Sequence, residues 1–135
     1  MKRKPKTSLQ KYTAKKKRLS NQAKALWQEL IRVISPNCEG HGIGCTGKTQ
    51  AGHHFVFVSA SNHLRFDLKN GIGLCTKCHY ALHNTGRAGI VYLNIIQGRS
   101  KEWKEYIDKN SQVRVSTTLG WYKKKFDELT KLKNN

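Results

Sequence analysis

Residues 70–83 read Asn-Gly-Ile-Gly-Leu-Cys-Thr-Lys-Cys-His-Tyr-Ala-Leu-His, and this stretch decides the fold. Cys75 and Cys78 enclose two residues, a knuckle that lets both thiolates and nearby backbone amides converge on one zinc ion. His79 and His83 are four residues apart on a predicted short helix that ends near Asn84 to Gly86. That spacing puts both imidazoles on one helix face, ready to grip one ion. Asn70-Gly71 is a turn signal ahead of the knuckle.

Upstream, residues 53–58 (His-His-Phe-Val-Phe-Val) and 63–68 (His-Leu-Arg-Phe-Asp-Leu) read as two short strands with a turn at 59–62. The predicted order is strand, strand, helix. His53 and His54 are neighbours at a strand start, so their side chains are expected on opposite faces, doing different jobs. Further upstream, Cys38 and Cys45 are separated by six residues, wider than the usual two to four. Glycines 40, 42 and 44 would let that loop fold back, and a four-cysteine zinc site built from both halves is its natural closure. His41 in place of Cys38 or Cys45, or an unliganded first pair, remain alternatives. A redox reading of the Cys75–Cys78 pair would need a βαβ setting that the pattern lacks. His41 and His63 are otherwise read as ordinary polar residues.

His53-His54, then Asn70, then Cys75-x2-Cys78-His79, then His83 resembles the HNH (His-Me finger, ββα-metal) nuclease motif. Gln50-Ala-Gly-His-His54, Leu64-Arg-Phe-Asp67 and Asn70-x4-Cys75-x2-Cys78 are also similar to the phage NinG (Rap)-type recombination nucleases. The resemblance covers about residues 38–84. It implies an α+β chain with a small ββα-metal core, acting as a DNA endonuclease in phage-type DNA processing or recombination. It implies further that His54 is the general base and that Asn70 braces the loop and orients that base. His53, His79 and His83 would hold the catalytic ion. The family often has Asp where this chain has His53, and NinG-type sequences carry one histidine after the glycine, so the roles of His53 and His54 are open to exchange. Three imidazoles suit Zn, Ni or Mn better than Mg, while the family admits Mg.

The rest of the chain frames this core. Of its 135 residues 37% are hydrophobic and 25% charged, a lean composition whose single small core needs a staple such as a metal. Lys and Arg number 26 against 8 acids, a net charge of +18, which attracts polyanions. Duplex or branched DNA is the expected partner; no membrane partner is expected, since no stretch is long and apolar enough to span one. The charged N-terminus does not read as a secretory signal, so a cytoplasmic location is expected.

Residues 1–28 hold ten Lys or Arg and no acid. Residues 1–18, densest at Lys15, Lys16, Lys17 and Arg18, read as a mobile arm lying along phosphates. Residues 19–36 read as a helix with Leu19, Ala23, Leu26, Leu30 and Val33 inward and Trp27, Ile31 and Ile34 widening the face, all ordinary core packing, stopped by Pro36. The core spans 37–86, and 87–135 reads as a helical extension. There Ser100 and Thr117 or Thr118 cap helices, the last with Leu119, Tyr122, Phe126, Leu129 and Leu132 inward. Arg65 and Arg87 are placed by position as phosphate contacts. The main rival reading is a non-catalytic zinc module that binds nucleic acid, which explains the charge and the cysteines but not the spacing of the five residues His53, His54, Asn70, His79 and His83.

Overall fold

The computed structural model describes residues 2–84 and 86–135. In chain order they form helix α1 (Ser8–Ile34), strands β1 (Ala51–His54) and β2 (Gly71–Leu74), and helices α2 (Thr76–Asn84), α3 (Ala88–Gly98), α4 (Lys101–Asn110) and α5 (Leu119–Asn134). The chain is α+β, and its one two-stranded sheet is antiparallel among the described residues. It divides into two compact units, residues 1–26 with 116–135, and residues 27–115.

In the first unit, Thr7 and Gln10 cap each other. Thr7 N donates to Gln10 Oε1 (2.9 Å) and Gln10 N donates to Thr7 Oγ1 (3.1 Å), a reciprocal box that satisfies orphan amides at a helix start. The mobile arm expected over residues 1–18 is thereby corrected, because the chain is helical from Ser8. Lys, Arg, Gln and Ala are good helix formers, and the cationic heads are mostly exposed to water, where salt screens their repulsion. The Tyr12 hydroxyl accepts from Leu119 N, and the Lys16 ammonium lies 5.9 Å from the Tyr122 ring centre. Thr118 caps α5 by accepting from Trp121 N. Tyr122 and Leu129 are buried as expected, whereas Leu132, in the last turn, is exposed.

In the second unit, the β1–β2 ladder pairs Ala51 with Leu74, Gly52 with Gly73, His53 with Ile72 and His54 with Gly71. One face of it meets the end of α1. A Cβ on Gly71 would lie 2.0 Å from Ile31 Cδ1, and one on Gly73 would lie 2.5 Å from the Ser35 carbonyl oxygen. Gln28 clamps the same face, donating to Gly52 O (2.7 Å) and accepting from Gly52 N (2.6 Å). The other face carries Ile72 and Leu74 into the main apolar cluster, with Leu64, Val91, Ile95, Trp103 and Ile107. Helix α2 packs on both strands. Val33, expected in the buried stripe of α1, and Ile34, expected to widen it, are exposed at its end.

The strand expected over 53–58 is Ala51–His54, and the one expected over 63–68 is replaced by two 3-10 turns, Asn62–Leu64 and Leu68–Asn70. Local side-chain bonds compete with strand pairing there. The Asp67 carboxylate accepts from Lys69 N, Ser61 Oγ donates to the carbonyls of Asn110 and Val113, and Asn62 bonds both ways with Val115. Trp103 Nε1 donates to Lys69 O, and the Tyr106 hydroxyl donates to Asp67. The true second strand begins at Gly71, where the sequence signalled a turn.

Gly73→Ala is expected to cost about 1–3 kcal/mol in urea unfolding, because the added methyl meets backbone and overpacks. Gly89→Ala, where a Cβ meets nothing within 4 Å, is expected to leave stability equal or raised, helices favouring Ala over Gly.

Candidate metal centres

The cysteine centre is built by a loop that closes on itself. Asn37 and Lys48 form an antiparallel bridge, and Cys38 N donates to Gly47 O. The six-residue spacing is absorbed by left-handed backbone at His41 (φ 45°) and Gly44 (φ 78°), and Gly47 (φ 82°) turns the chain after Cys45; the two glycines adopt this conformation without steric cost. Gly40 admits no side chain, since a Cβ there would lie 2.8 Å from Cys78 Cβ. The amides of Gly40, Gly47, Cys78 and Gly42 point at the sulfurs of Cys38, Cys45, Cys75 and Cys78 respectively, each at 3.4 Å.

The four Sγ atoms lie within 4.8 Å of one another. Cys75 and Cys45 are 3.9 Å apart, and all four cysteines are free. A disulfide needs about 2 Å, while a tetrahedron of Zn–S bonds near 2.3 Å has edges of about 3.8 Å. The donor set fits one ion such as zinc, and His41 is not part of it. Burial pushes the Cys38 and Cys78 thiols up. It pushes the Cys75 thiol up too, but hydrogen bonds involving Cys78 and Thr46 outweigh it and bring that thiol down to about 6. Glu39 ties this loop to β2. Its carboxylate accepts from Gly73 N and Ser35 Oγ and pairs with Arg99, which also donates to Gly71 O.

The second group joins His53 of β1 to His79 and His83 of α2. Their potential ligand atoms also lie within 4.8 Å of one another, and the two helix histidines approach to 3.2 Å between Nε2 atoms. His53 is 5% exposed, and its Nε2 is buried without a hydrogen-bond partner. Burial first, then the nearby His79, His83 and His54, lower the His53 pKa to about 4. Burial and His83 lower that of His79. Neutral imidazoles keep the lone pairs that metals need. Phe57, half exposed, stands edge-on to His53 at 6.2 Å. Cys78 and His79 are consecutive, so the two centres share the first turn of α2. That turn is anchored by Thr76, whose N and Oγ1 both donate to Gln50 Oε1.

His54 does not join this group. It lies on the α1 side of β1, stacked flat on Trp27 with ring centres 4.2 Å apart. Its Nε2 is 2.7 Å from the Arg65 carbonyl oxygen. A carbonyl only accepts, so Nε2 carries the hydrogen and Nδ1 holds the lone pair. Asn70 is fully buried. It accepts from Val56 N through Oδ1 and donates to the carbonyls of Val56 and Leu64 through Nδ2. It therefore braces the loop whose next carbonyl, that of Arg65, holds His54. Trp27, read from sequence as packing alone, and Gln28, not singled out, turn out to fix this side of the site. No one-dimensional spacing links them to it, since they lie more than twenty residues upstream of His54.

Arg65 sits in the braced loop, 5.1 Å from the Phe66 ring centre, and Arg87 is exposed before α3. Lys15, Lys16, Lys17 and Arg18 lie on α1, in the unit formed by residues 1–26 and 116–135. That unit holds fifteen of the 26 basic residues and two of the eight acids. No helix among the described residues is long and apolar enough to cross a membrane. Comparison of the chain with protein families, with curated proteins and with solved structures returned no match.

Replacing zinc by cobalt at the cysteine centre is expected to give thiolate-to-cobalt charge-transfer absorption at about one ion per chain, and Cys45→Ser to abolish that stoichiometry. A chelator should lower the melting temperature, since binding energy at such a site is folding energy. Unchanged melting in the stripped protein would mean that the thiols hold no structural ion.

Proposed function

We propose that this chain is a metal-dependent DNA endonuclease of the HNH kind, in which a divalent cation (Mg, Mn, Ni or Zn) is held by His53, His79 and His83. The observation that carries the reading is the buried, partnerless Nε2 of His53 beside two further imidazoles within ligand distance. A buried polar atom without a partner costs free energy, and a cation between the three rings would relieve it. The sequence resemblance supplies the reaction class, and the cysteine centre and charge are consistent with it. Phage-type processing or recombination is the role the resemblance suggests.

A cation so bound would draw charge from a phosphate oxygen and the leaving oxygen as the bond breaks. The chain's own residues carry the remaining work. His54 is held in the tautomer with Nδ1 as acceptor, the form that takes a proton from water. Asn70 acts through the loop carbonyls as a positioning residue. His53 and His54 occupy opposite faces of β1, which favours ligand and base as separate roles over their exchange. Arg65, Arg87 and the basic helical unit would meet phosphates.

The test is nicking of supercoiled plasmid with Mg, Mn, Ni or Zn against a chelator control. His54→Ala is expected to lose about 10²-fold or more in rate with DNA affinity nearly intact, at every metal concentration. His53→Ala is expected to lose activity that partly returns as the metal concentration rises. An intact plasmid in every metal with the folded parent protein would leave a nucleic-acid-binding zinc module as the reading.

Removing residues 1–18 is expected to weaken DNA binding and flatten its dependence on salt, checked by anisotropy titrations between 50 and about 200 mM salt. An unchanged slope would mean that these cations do not contact the backbone.

A further inference from the structure

Around α2 from His79 and His83 lies a second feature that the nuclease reading does not use. A cleft of about 350 Å³ opens between the glycine-rich cysteine loop and helices α2 and α3. Its apolar lining includes Ile43, Tyr80, Ile90 and Val91, and two cations, Lys77 and Arg87, also line it. Ile43, Tyr80 and Ile90 are more than half exposed. Adjacent exposed apolar groups of this kind mark binding surfaces. Gly42 keeps the cleft open, since a Cβ there would come within 3.3 Å of Val91.

The chemistry of the lining selects its occupant. Apolar walls with one aromatic ring suit a planar, weakly polar group, and the two cations suit an anion attached to it. A nucleotide combines both, stacking its base and presenting its phosphate. Bases in a duplex are stacked on one another and cannot offer a face, so the occupant must be unpaired. At 3.6 residues per turn, Lys77, Tyr80 and Ala81 face a different direction from His79 and His83. A helix with its side chains is about 10–12 Å across, a distance covered by about three stacked nucleotides at 3.4 Å each. A strand bound at the histidines can therefore reach the cleft within a few nucleotides.

We infer that this cleft is a subsite for one unpaired nucleotide of the nucleic acid, its base stacked on Tyr80 and its phosphate between Lys77 and Arg87. The subsite rests on the proposed nuclease function only for the identity of the strand that enters it. It deepens that reading by requiring unpaired bases a few nucleotides from the bond to be cut.

The experiment uses the 135-residue chain carrying one equivalent of zinc, enough for the cysteine centre alone, with no further divalent cation added, so that binding is read without cleavage. The probes are a hexathymidylate carrying one 2-aminopurine, its ribo counterpart, and a blunt hairpin duplex. The parent is expected to change the 2-aminopurine fluorescence on binding. Tyr80→Ala, at an exposed position where folding is checked by zinc content and circular dichroism, is expected to lose the change and about tenfold in affinity for the single strand. Hairpin affinity should stay within twofold, and Tyr80→Trp should restore single-strand binding. Ile90→Glu, which sets a carboxylate in the cleft, is expected to reproduce the loss. Equal losses on hairpin and single strand, or unchanged single-strand affinity in both folded variants, would overturn the subsite. So would an acidic peptide that protects the cleft without competing with the oligonucleotide. A plasmid left intact by a parent that still shows the Tyr80-dependent fluorescence would remove the nuclease reading and keep the subsite. Metal-dependent nicking with no Tyr80 dependence of binding would do the reverse.

Discussion

The structure turns on the short ladder between Ala51–His54 and Gly71–Leu74, held with a helix on each side. On the α1 side nothing larger than hydrogen fits at Gly71 and Gly73, so the backbone itself is the packing surface, and Gln28 satisfies both polar groups of Gly52. Close approach on that side fixes which way each side chain points, because successive residues of a strand alternate. His53 must face α2 and meet His79 and His83, while His54 must face α1 and lie on Trp27. A slip of one residue would exchange the two histidines and drive Ile72 and Leu74 out of the core. The opposite facing of two adjacent histidines is therefore enforced by glycines on the neighbouring strand, Gly71 being the direct ladder partner of His54.

The second constraint is sulfur. Cys38, Cys75 and Cys78 belong to the apolar cluster as much as to the candidate ion site, so the ion would replace core volume that a chain this size lacks. Amides from the cysteine loop and from α2 converge on the thiols, and the Glu39–Arg99 pair fastens the loop to the first residues of β2. Because Cys78 and His79 are consecutive, the geometry of the histidine group is inherited from the cysteine group through one turn of helix. Loosening the sulfurs would move His79 relative to His53 through the backbone that Cys78 and His79 share.

Much of this was legible in the sequence, and the illegible parts share a cause. The knuckle, the helix carrying His79 and His83, the caps at Ser100 and Thr118 and the grouping of four cysteines follow from local spacing, which the chain expresses directly. The second strand lies elsewhere than expected because Asn70-Gly71 reads as a turn, whereas Gly71 and Gly73 are selected by the approach of Ile31 and Ser35 some forty residues away. The stretch 63–68 looked like a strand from its apolar alternation, but Asp67, Ser61 and Asn62 spend their side chains on local or distant backbone and stop the ladder from forming. The N-terminal arm was misread for the opposite reason. Like-charge repulsion argues for a mobile segment, but the Thr7–Gln10 box, which lies entirely within four residues, starts a helix.

The distribution of charge bears on how such a site would meet its substrate. Residues 27–115 carry eleven cations and six acids, a modest excess, whereas the helical unit of residues 1–26 and 116–135 carries fifteen and two. Attraction at a distance depends on net charge and fades over a Debye length of about 8–10 Å at physiological salt, so the helical unit dominates the first encounter with a polyanion. With nucleic acid as the proposed partner, selection among bound segments would fall to the unit of residues 27–115, whose cations are few and set among aromatic and apolar groups: Arg65 by Phe66, and Lys77 and Arg87 by the cleft. Under the proposed function, separating capture from selection in this way would let the core keep enough acids, such as Glu39 and Asp67, to brace its loops without weakening the pull on a polyanion.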